Sequence, residues 1–203
     1  MTIEEHFITP NEWSRPGTRL RQVLGLVMHW TANPHADAQA NVRFFENRKT
    51  GMAGYGSAHY VIGQDGTIIR CIPEWEVAYH CGSSQVDPVS LKVYTDLARS
   101  LFPDFCYKST SPNLCTIGVE LCPVDSAGRF ADATLEAAVE LAADIMVRYK
   151  LDSKRLVTHH DVVGWKDCPR WWVKHPEAFG AFKLQVADTA GRMEGLAKRG
   201  ETI

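Results

Sequence analysis

A chain of 203 residues with 45% hydrophobic content is long enough for one domain with an ample core, and one domain is the simplest interpretation. The 22 lysines and arginines nearly balance the 24 aspartates and glutamates, so the formal net charge is −2. This balance disfavours nucleic acid and anionic membranes as partners, and it leaves neutral or zwitterionic substrates open.

The amino-terminal stretch MTIEEHFITPNEW has neither the basic start nor the apolar core of a signal peptide. No segment approaches the roughly 20 apolar residues of a membrane span. We therefore expect a protein that is made in the cytoplasm and is not inserted into a membrane. We also expect a monomer.

The sequence contains six cysteines. A chain of this length does not need disulfides, and cytoplasmic synthesis favours reduced thiols, so most cysteines are predicted to be small core residues. Cys106 and Cys115 bracket the polar loop YKSTSPNL and could pair if the protein works outside the cell. The full set is Cys71, Cys81, Cys106, Cys115, Cys122 and Cys168.

The first part of the chain predicts a strand, a helix and a hairpin. QVLGLVMHW, residues 22–30, is a short apolar run that predicts a buried strand ending at His29. Residues 36–50 predict a helix with a polar outer face. The segment SAHYVIGQDGTIIRCIP holds two β-rich runs around an Asp-Gly pair, which is the preferred pair of a tight turn, and predicts a β-hairpin.

A longer excursion follows over residues 86–115, with a helix predicted in VSLKVYTDLARSLF and a loop rich in Ser, Pro and Asn after it. TIGVELC, residues 116–122, predicts another strand. Apolar residues at steps of three and four predict an amphipathic helix from about 134 to 150. RLVTHH, residues 155–160, predicts a last strand, and HPEAFGAFKLQVA predicts a closing helix.

Strands interleaved with helices indicate an α/β fold, a single domain with a central mixed β-sheet flanked by helices. We place this domain at residues 1–187. Residues 188–203 are small, charged and poor in large apolar groups, and we interpret them as a polar tail or linker.

The stretch THHDVVGWKDCPRWW, residues 158–172, concentrates groups that bind metals or move protons. A catalytic zinc site needs three protein ligands and an open position for water. His159 and Cys168 could supply two ligands, because the loop between them can bend both toward one ion. His29 is the third candidate if its strand lies close to the strand before His159. Taken singly, such residues are more often rim histidines or small buried cysteines.

Two charged residues strengthen the metal-site hypothesis. Glu120 lies inside the otherwise apolar run TIGVELC, where an unpaired carboxylate is costly and is therefore either paired or functional. The alternative interpretation is that Glu120 points outward to solvent from a half-exposed strand. Lys166 would stand beside any metal bound by Cys168, and its alternative is an ordinary solvated loop lysine.

Several motifs together resemble the zinc-dependent N-acetylmuramoyl-L-alanine amidases of the peptidoglycan-recognition superfamily, which includes phage endolysins and bacterial autolysins. They occur in the family's order over about residues 20–185, as VMHWTAN, SAHYVIGQDGTI, AYHCG, TIGVELC and THHDVVGWKDCPR. The resemblance implies an amidase-like fold and one Zn2+ per chain. It also implies bacterial peptidoglycan, both glycan strand and stem peptide, as the partner.

Carried over position by position, the resemblance implies that His29, His159 and Cys168 bind zinc. Glu120 falls on the acid/base carboxylate, and Lys166 falls on the lysine close to the cysteine ligand. The implied reaction is hydrolysis of the amide between N-acetylmuramic acid and the L-alanine of the stem peptide by a zinc-activated water. Glu120 would move the proton and Lys166 would stabilise the oxyanion.

The resemblance assigns substrate binding to His80 of AYHCG, with Tyr79 where tryptophan is common, and we add Trp30 beside the first ligand. Some phage relatives carry a catalytic tyrosine where this chain has Ala58, which shifts proton transfer toward Glu120. The segment after the last strand also contains His160 and Asp161. We expect His160 to support a ligand, and we expect Asp161 either to fix the turn or to hydrogen-bond behind a ligand.

Two other functions remain open from the sequence. The first is a non-catalytic peptidoglycan-binding module, against which the presence of Cys168, Glu120 and Lys166 argues. The second is a cysteine-dependent cell-wall hydrolase with Cys168 as nucleophile. Pro169 disfavours it, because a nucleophile at a helix start needs free backbone N–H groups after it.

The expected place of action is the cell wall. A chain without a signal peptide fits a phage or prophage lysin that reaches the wall after release, or a cytoplasmic recycling amidase. Recycling amidases tend to carry aspartate at the position of Cys168, so the lysin is favoured.

Overall fold

The computed structural model describes residues 1–107 and 110–200. Its strands are β1 (Ile3–Glu5), β2 (Gly25–Trp30), β3 (Tyr60–Ile62), β4 (Ile68–Arg70), β5 (Thr116–Leu121) and β6 (Leu156–Thr158). Its α-helices are α1 (Ala38–Asn47), α2 (Asp96–Leu101), α3 (Asp132–Tyr149), α4 (His159–Val163), α5 (Arg170–Lys174) and α6 (Pro176–Arg199). Short 3-10 turns lie at Arg48–Thr50, Pro112–Leu114 and Ser153–Arg155.

All six strands form one mixed sheet in the order β1-β4-β3-β5-β2-β6. The β3–β4 hairpin is antiparallel, and every other neighbouring pair is parallel. The predicted α/β fold with a central mixed sheet is therefore confirmed. The hairpin turns at the predicted Asp-Gly pair, where Gly66 has a φ of +82°, a conformation that glycine adopts without strain.

The strand β2 lies between β5 and β6 and is buried along its whole length. Its register sets His29 opposite Glu120 of β5, and it sets Met28 opposite Thr158, the last residue of β6. The expectation that the strand of His29 lies close to the strand before His159 is confirmed. Parallel strands end at the same edge of a sheet, so these strand ends meet there.

Alternation along the strands divides the core between the two faces of the sheet. Leu26 and Met28 of β2 pack in the cluster that holds the apolar faces of α3 and α6. Val27, between them, packs instead with residues of α2 and α4. His29 alternates with Met28 and therefore lies on the face that α3 does not cover.

The expected helix in VSLKVYTDLARSLF is shorter than predicted, because only Asp96–Leu101 is helical. The Asp87 carboxylate accepts from the amides of Val89 and Ser90 and fixes a turn before it. Thr95 then caps the helix with its side chain. These local bonds compete with helix over the first half of the segment.

The last predicted strand is also shorter, since β6 ends at Thr158. Thr158 and Asp161 form a reciprocal capping box that starts α4 at His159. The expected role of Asp161 in fixing the turn is confirmed. The sequence did not predict β1 or α5.

The closing helix continues past the predicted boundary, so residues 188–199 are helical and not an irregular linker. Ala190 and Met193 extend the apolar stripe of α6, and they pack against the cluster that α3 shares. The tail is polar as expected, but this stripe is enough to hold its first part as helix. Residues 201–203 lie outside the described residues.

All six cysteines are buried and carry free thiols. The prediction that most of them are small core residues is confirmed, since five of the six lie in apolar clusters and Cys168 belongs to the candidate metal site. Cys106 and Cys115 share one apolar cluster, but they do not form the disulfide that was considered possible. No helix in the described part of the chain is long and apolar enough to cross a membrane.

Candidate active site

The three predicted metal ligands meet at the end of the central strands. His29 lies in β2, His159 opens α4, and Cys168 lies in the loop before α5. Their candidate ligand atoms all lie within 4.8 Å of one another, and all three residues are buried. The Sγ atom of Cys168 is 3.7 Å from Nδ1 of His29, and the two imidazole centroids are 4.6 Å apart.

This donor set fits a zinc ion. Nδ1 of His159 is buried and finds no hydrogen-bond partner in the part of the chain that the structure describes, which is rare for a buried ring nitrogen. Burial is the largest cause that lowers the pKa of His29 and His159 well below the usual value, and neighbouring positive charges add to the effect. Both rings are therefore neutral. Burial raises the pKa of the Cys168 thiol to about 12, which a bound cation would reverse. Two neutral imidazoles and one sulfur are typical zinc ligands.

His80 directly contacts His29, one of the candidate metal ligands. Nδ1 of His80 is 3.0 Å from Nε2 of His29, the ring nitrogen that does not face Cys168. The other nitrogen of His80 lies 3.3 Å from the carbonyl oxygen of Thr116. A Cβ at Gly118 would come within 2.5 Å of the His80 ring, so this packing requires glycine there. Both nitrogens of His80 are engaged inside the protein, a contact that the substrate-binding prediction did not include.

The carboxyl group of Glu120 lies beside the candidate ligands. Its Oε2 atom is buried and has no hydrogen-bond partner among the described residues, although part of the residue stays exposed. Burial raises the pKa of Glu120 to about 7, and the cations of Lys166 and Arg48 oppose the rise. A carboxyl group with a pKa near neutrality can both accept and donate a proton at pH 7.

Glu120, Lys166 and His159 line one pocket of about 460 Å³. Aromatic and serine side chains both line it. They are Phe45, Tyr55, Tyr79 and Tyr94, and Ser57, Ser83, Ser84 and Ser111.

The three residues predicted to bind substrate differ in whether they line this pocket. Tyr79 lines the pocket and is half-buried, and His80 also lines it and is buried. Trp30 is 9% exposed and is not among the lining residues. It packs under the Arg170 guanidinium, which lies 4.9 Å from the ring centroid. Strand alternation sends Trp30 to the face opposite His29.

The loop between the second and third ligands is fixed by His160. Its amide donates to the carbonyl oxygen of Cys168 at 2.9 Å, and its Nδ1 lies 3.0 Å from the carbonyl oxygen of Lys166. These contacts hold the loop that carries both residues. They match the supporting role expected for His160.

Sequence reasoning missed Asn113. Its Oδ1 accepts from the backbone amides of His80, Cys81 and Gly82 at 3.1, 2.8 and 3.1 Å. The amide side chain thereby fixes the segment that carries His80. The only signal was an asparagine in the Ser-Pro-Asn loop before β5, which is equally typical of any turn.

A mixed α/β sheet with a buried His-His-Cys cluster that could hold a metal ion, and with a carboxyl group beside it, is the arrangement expected of a metal-dependent hydrolase. Within that class, the chain belongs to the N-acetylmuramoyl-L-alanine amidase family, whose sequence model matches residues 19–171.

Curated relatives agree with this assignment. A probable N-acetylmuramoyl-L-alanine amidase of Bacillus licheniformis is 33% identical over 190 residues, which is 94% of this chain and 48% of the relative. The N-acetylmuramoyl-L-alanine amidase BlyA of Bacillus subtilis is 33% identical over 181 residues, which is 89% of this chain and 45% of BlyA. The chain thus spans about half the length of these relatives.

Solved structures share the fold. The PlyG catalytic domain aligns with a TM-score of 0.68 at 21% identity, covering 94% of this chain and 96% of that domain. A mutant endolysin from Bacillus subtilis gives 0.66 at 23% identity, covering 92% and 99%. The Staphylococcus aureus hydrolase AmiA, in complex with its ligand, gives 0.62 at 17% identity, covering 100% and 87%.

Proposed function

We propose that residues 1–187 form the catalytic domain of a zinc-dependent peptidoglycan amidase. The bond cleaved joins the lactyl group of N-acetylmuramic acid to the L-alanine of the stem peptide. The observation that carries this proposal is the convergence of His29, His159 and Cys168 beside the buried carboxyl group of Glu120. Family membership supports the choice of bond, and bacterial cell wall is then the place of action.

One zinc ion per chain would be held by His29, His159 and Cys168. Bound zinc would polarise the amide carbonyl and lower the pKa of a bound water to about 7. His80 holds the ring of His29 through their contact of 3.0 Å, so that Nδ1 faces the other two ligands.

Glu120 is the acid/base group of the proposed reaction. Its unpartnered, buried oxygen and raised pKa suit a group that takes a proton from water and returns it to the leaving amine. Such transfer typically contributes about 10²–10⁴-fold to the rate. Lys166 lines the same pocket, and its ammonium group would stabilise the negative charge that develops on the amide oxygen.

The test is hydrolysis of purified cell walls and of a defined muropeptide by the full chain. We expect release of peptides with a free amino-terminal L-alanine, loss of activity with a chelator, and recovery with added zinc. Activity that resists the chelator but is abolished by thiol alkylation would instead identify a cysteine hydrolase. Wall binding without any cleavage would identify a recognition module.

A further inference from the structure

Three aromatic side chains form a continuous row, which we call the aromatic row: Trp13, Tyr55 and Tyr79. The centroids of Trp13 and Tyr55 are 4.7 Å apart, and those of Tyr55 and Tyr79 are 5.3 Å apart. Tyr55 and Tyr79 line the pocket that contains Glu120, and Tyr55 is 57% exposed. Trp13 extends the row beyond the pocket, and it lies before residue 19, where the family match begins.

The amino-terminal segment is fixed against this row. A Cβ at Gly51 would lie 2.9 Å from the indole of Trp13, and Gly51 has a φ of +79°. Both the close contact and the backbone conformation therefore require glycine. The carbonyl oxygen of Trp13 accepts from the amide of Gly56 at 3.1 Å. The hydroxyl of Tyr55 donates to the Glu12 carboxylate at 3.2 Å.

Arg48 fixes the loop that carries Tyr55. Its Nη1 atom donates to the carbonyl oxygens of Ala53, Gly54 and Tyr55 at 2.6, 3.0 and 3.2 Å. A Cβ at Gly56 would come within 2.9 Å of the guanidinium carbon, so the loop follows the arginine closely. The row is therefore held in place before any ligand arrives, which lowers the entropy lost on binding.

The pocket lining offers two kinds of side chain, which suit different parts of one substrate. Serines 83, 84 and 111 offer hydroxyl groups that suit the amides of a peptide. Aromatic faces attract the weakly positive C–H groups on the apolar face of a sugar ring. The lactyl group is attached directly to a hexosamine, so a sugar must lie next to the pocket when the amide reaches Glu120.

We propose that the aromatic row is a glycan subsite that binds the N-acetylated hexosamine units of the peptidoglycan strand, with Trp13 extending it to a sugar beyond the one that carries the scissile amide. The proposal rests on the proposed amidase function for the direction of the substrate. The binding itself requires no catalysis and can be measured separately.

The test uses a peptide-free tetrasaccharide of alternating N-acetylglucosamine and N-acetylmuramic acid, titrated into the zinc-supplemented full chain. Calorimetry gives the Kd, and the indole N–H signals in NMR spectra report which tryptophan is perturbed. We expect Trp13→Ala to raise the Kd about three- to tenfold, and Trp13→Phe to restore most of the affinity. Trp75→Ala removes an indole that is 62% exposed and is not among the pocket-lining residues, and it should leave the Kd unchanged.

Three outcomes would overturn the subsite. These are no measurable glycan binding by the wild type, equal affinities for wild type and Trp13→Ala, and equal losses in Trp13→Ala and Trp75→Ala. A wild type that binds the glycan through Trp13 but cleaves no muropeptide would keep the subsite and reject the amidase. Circular dichroism of each variant separates loss of fold from loss of contact.

Discussion

Glu120 places a carboxyl group in a strand whose other residues are all buried. It is paired with His29 on the neighbouring strand, and its Oε2 has no hydrogen-bond partner among the described residues. Burial of an unpaired carboxyl group lowers the stability of the fold, so its presence here indicates a functional role.

Glu120→Gln should lower turnover by about 10²–10⁴-fold, because the amide keeps the shape of the side chain but cannot exchange the proton. Zinc content, measured by metal analysis, should stay at one ion per chain, since the carboxyl group is not one of the three clustered ligands. Near-normal turnover in this variant would remove Glu120 from the mechanism.

His80 gives a second prediction. His80→Ala should weaken zinc binding by about 10–100-fold, because His29 loses the group that sets its orientation. The affinity is measured by competition with a chromophoric chelator. His6→Ala, at an exposed histidine, is the matched control and should not change it. A variant with normal zinc affinity but a raised KM would restore the substrate-binding role that the motif implied.

Sequence motifs can identify candidate metal ligands, but they do not show which residue hydrogen-bonds to the other ring nitrogen of a candidate histidine. His29, His159 and Cys168 could be predicted because their residue types recur in fixed local patterns. The partnership of His80 with His29 joins residues 51 positions apart, and it depends on how the segment after β4 packs on the sheet. Trp30 is next to a candidate ligand in the sequence, but strand alternation turns its side chain to the opposite face of the sheet, which adjacency in the sequence does not show.

At the scale of elements, a buried network ties α3 to the segment that follows β4. The Glu74 carboxylate accepts from Arg148 through two nitrogens, at 2.6 and 2.8 Å, and from the hydroxyls of Tyr60 and Tyr149 at 2.7 and 2.8 Å. Burial alone would raise the pKa of Glu74, but the bonds from Arg148 and Tyr60 outweigh it and hold the pKa at about 2.

Arg148→Met should therefore lower the free energy of unfolding by about 2–3 kcal/mol at pH 7, because a buried carboxylate loses its cation. The folded pKa of Glu74 lies below the unfolded value, so its contribution is complete above about pH 4.5 and is lost as the pH falls through about 2. The difference between wild type and variant should shrink over that window in urea unfolding experiments.

Asp144→Asn removes the other carboxylate partner of Arg148, a more exposed pair spaced i,i+4 along α3. It should change the unfolding free energy by less than about 0.5 kcal/mol. Equal losses in Asp144→Asn and Arg148→Met would show that the buried network does not supply the stability.

Elements with strong periodicity could be predicted, and those fixed by contacts could not. The apolar run of β2 and the stripe of α3 identify themselves in the sequence. The strand β1 is three residues long with two of them exposed, and only its pairing with β4 makes it a strand. The sequence of the far end of α6 is typical of a linker because it contains few apolar residues. In the structure two partly buried residues, Ala190 and Met193, pack against the core and hold this end as helix.

At the scale of the whole molecule, a metal at the centre would join β2, α4 and the loop before α5. Zinc at about 100 times its Kd should raise Tm by about 5–11 °C, since it binds the folded state far better than the unfolded one. Differential scanning calorimetry with zinc and with a chelator measures the shift. Cys168→Ala should lose most of it, and an unchanged shift in that variant would place the metal elsewhere.

Because β2 lies between β5 and β6, it is synthesised before either of the strands that pair with it. Both neighbours of this six-residue apolar strand are made long after it, and Cys168 follows later still. Until residue 121 has been made β2 has two unpaired edges, and until residue 158 it keeps one, and unpaired edges of an apolar strand invite aggregation. A chain that stops before residue 158 would therefore leave an edge of this apolar strand open, and a chain that stops before residue 168 would carry His29 without Cys168 beside it.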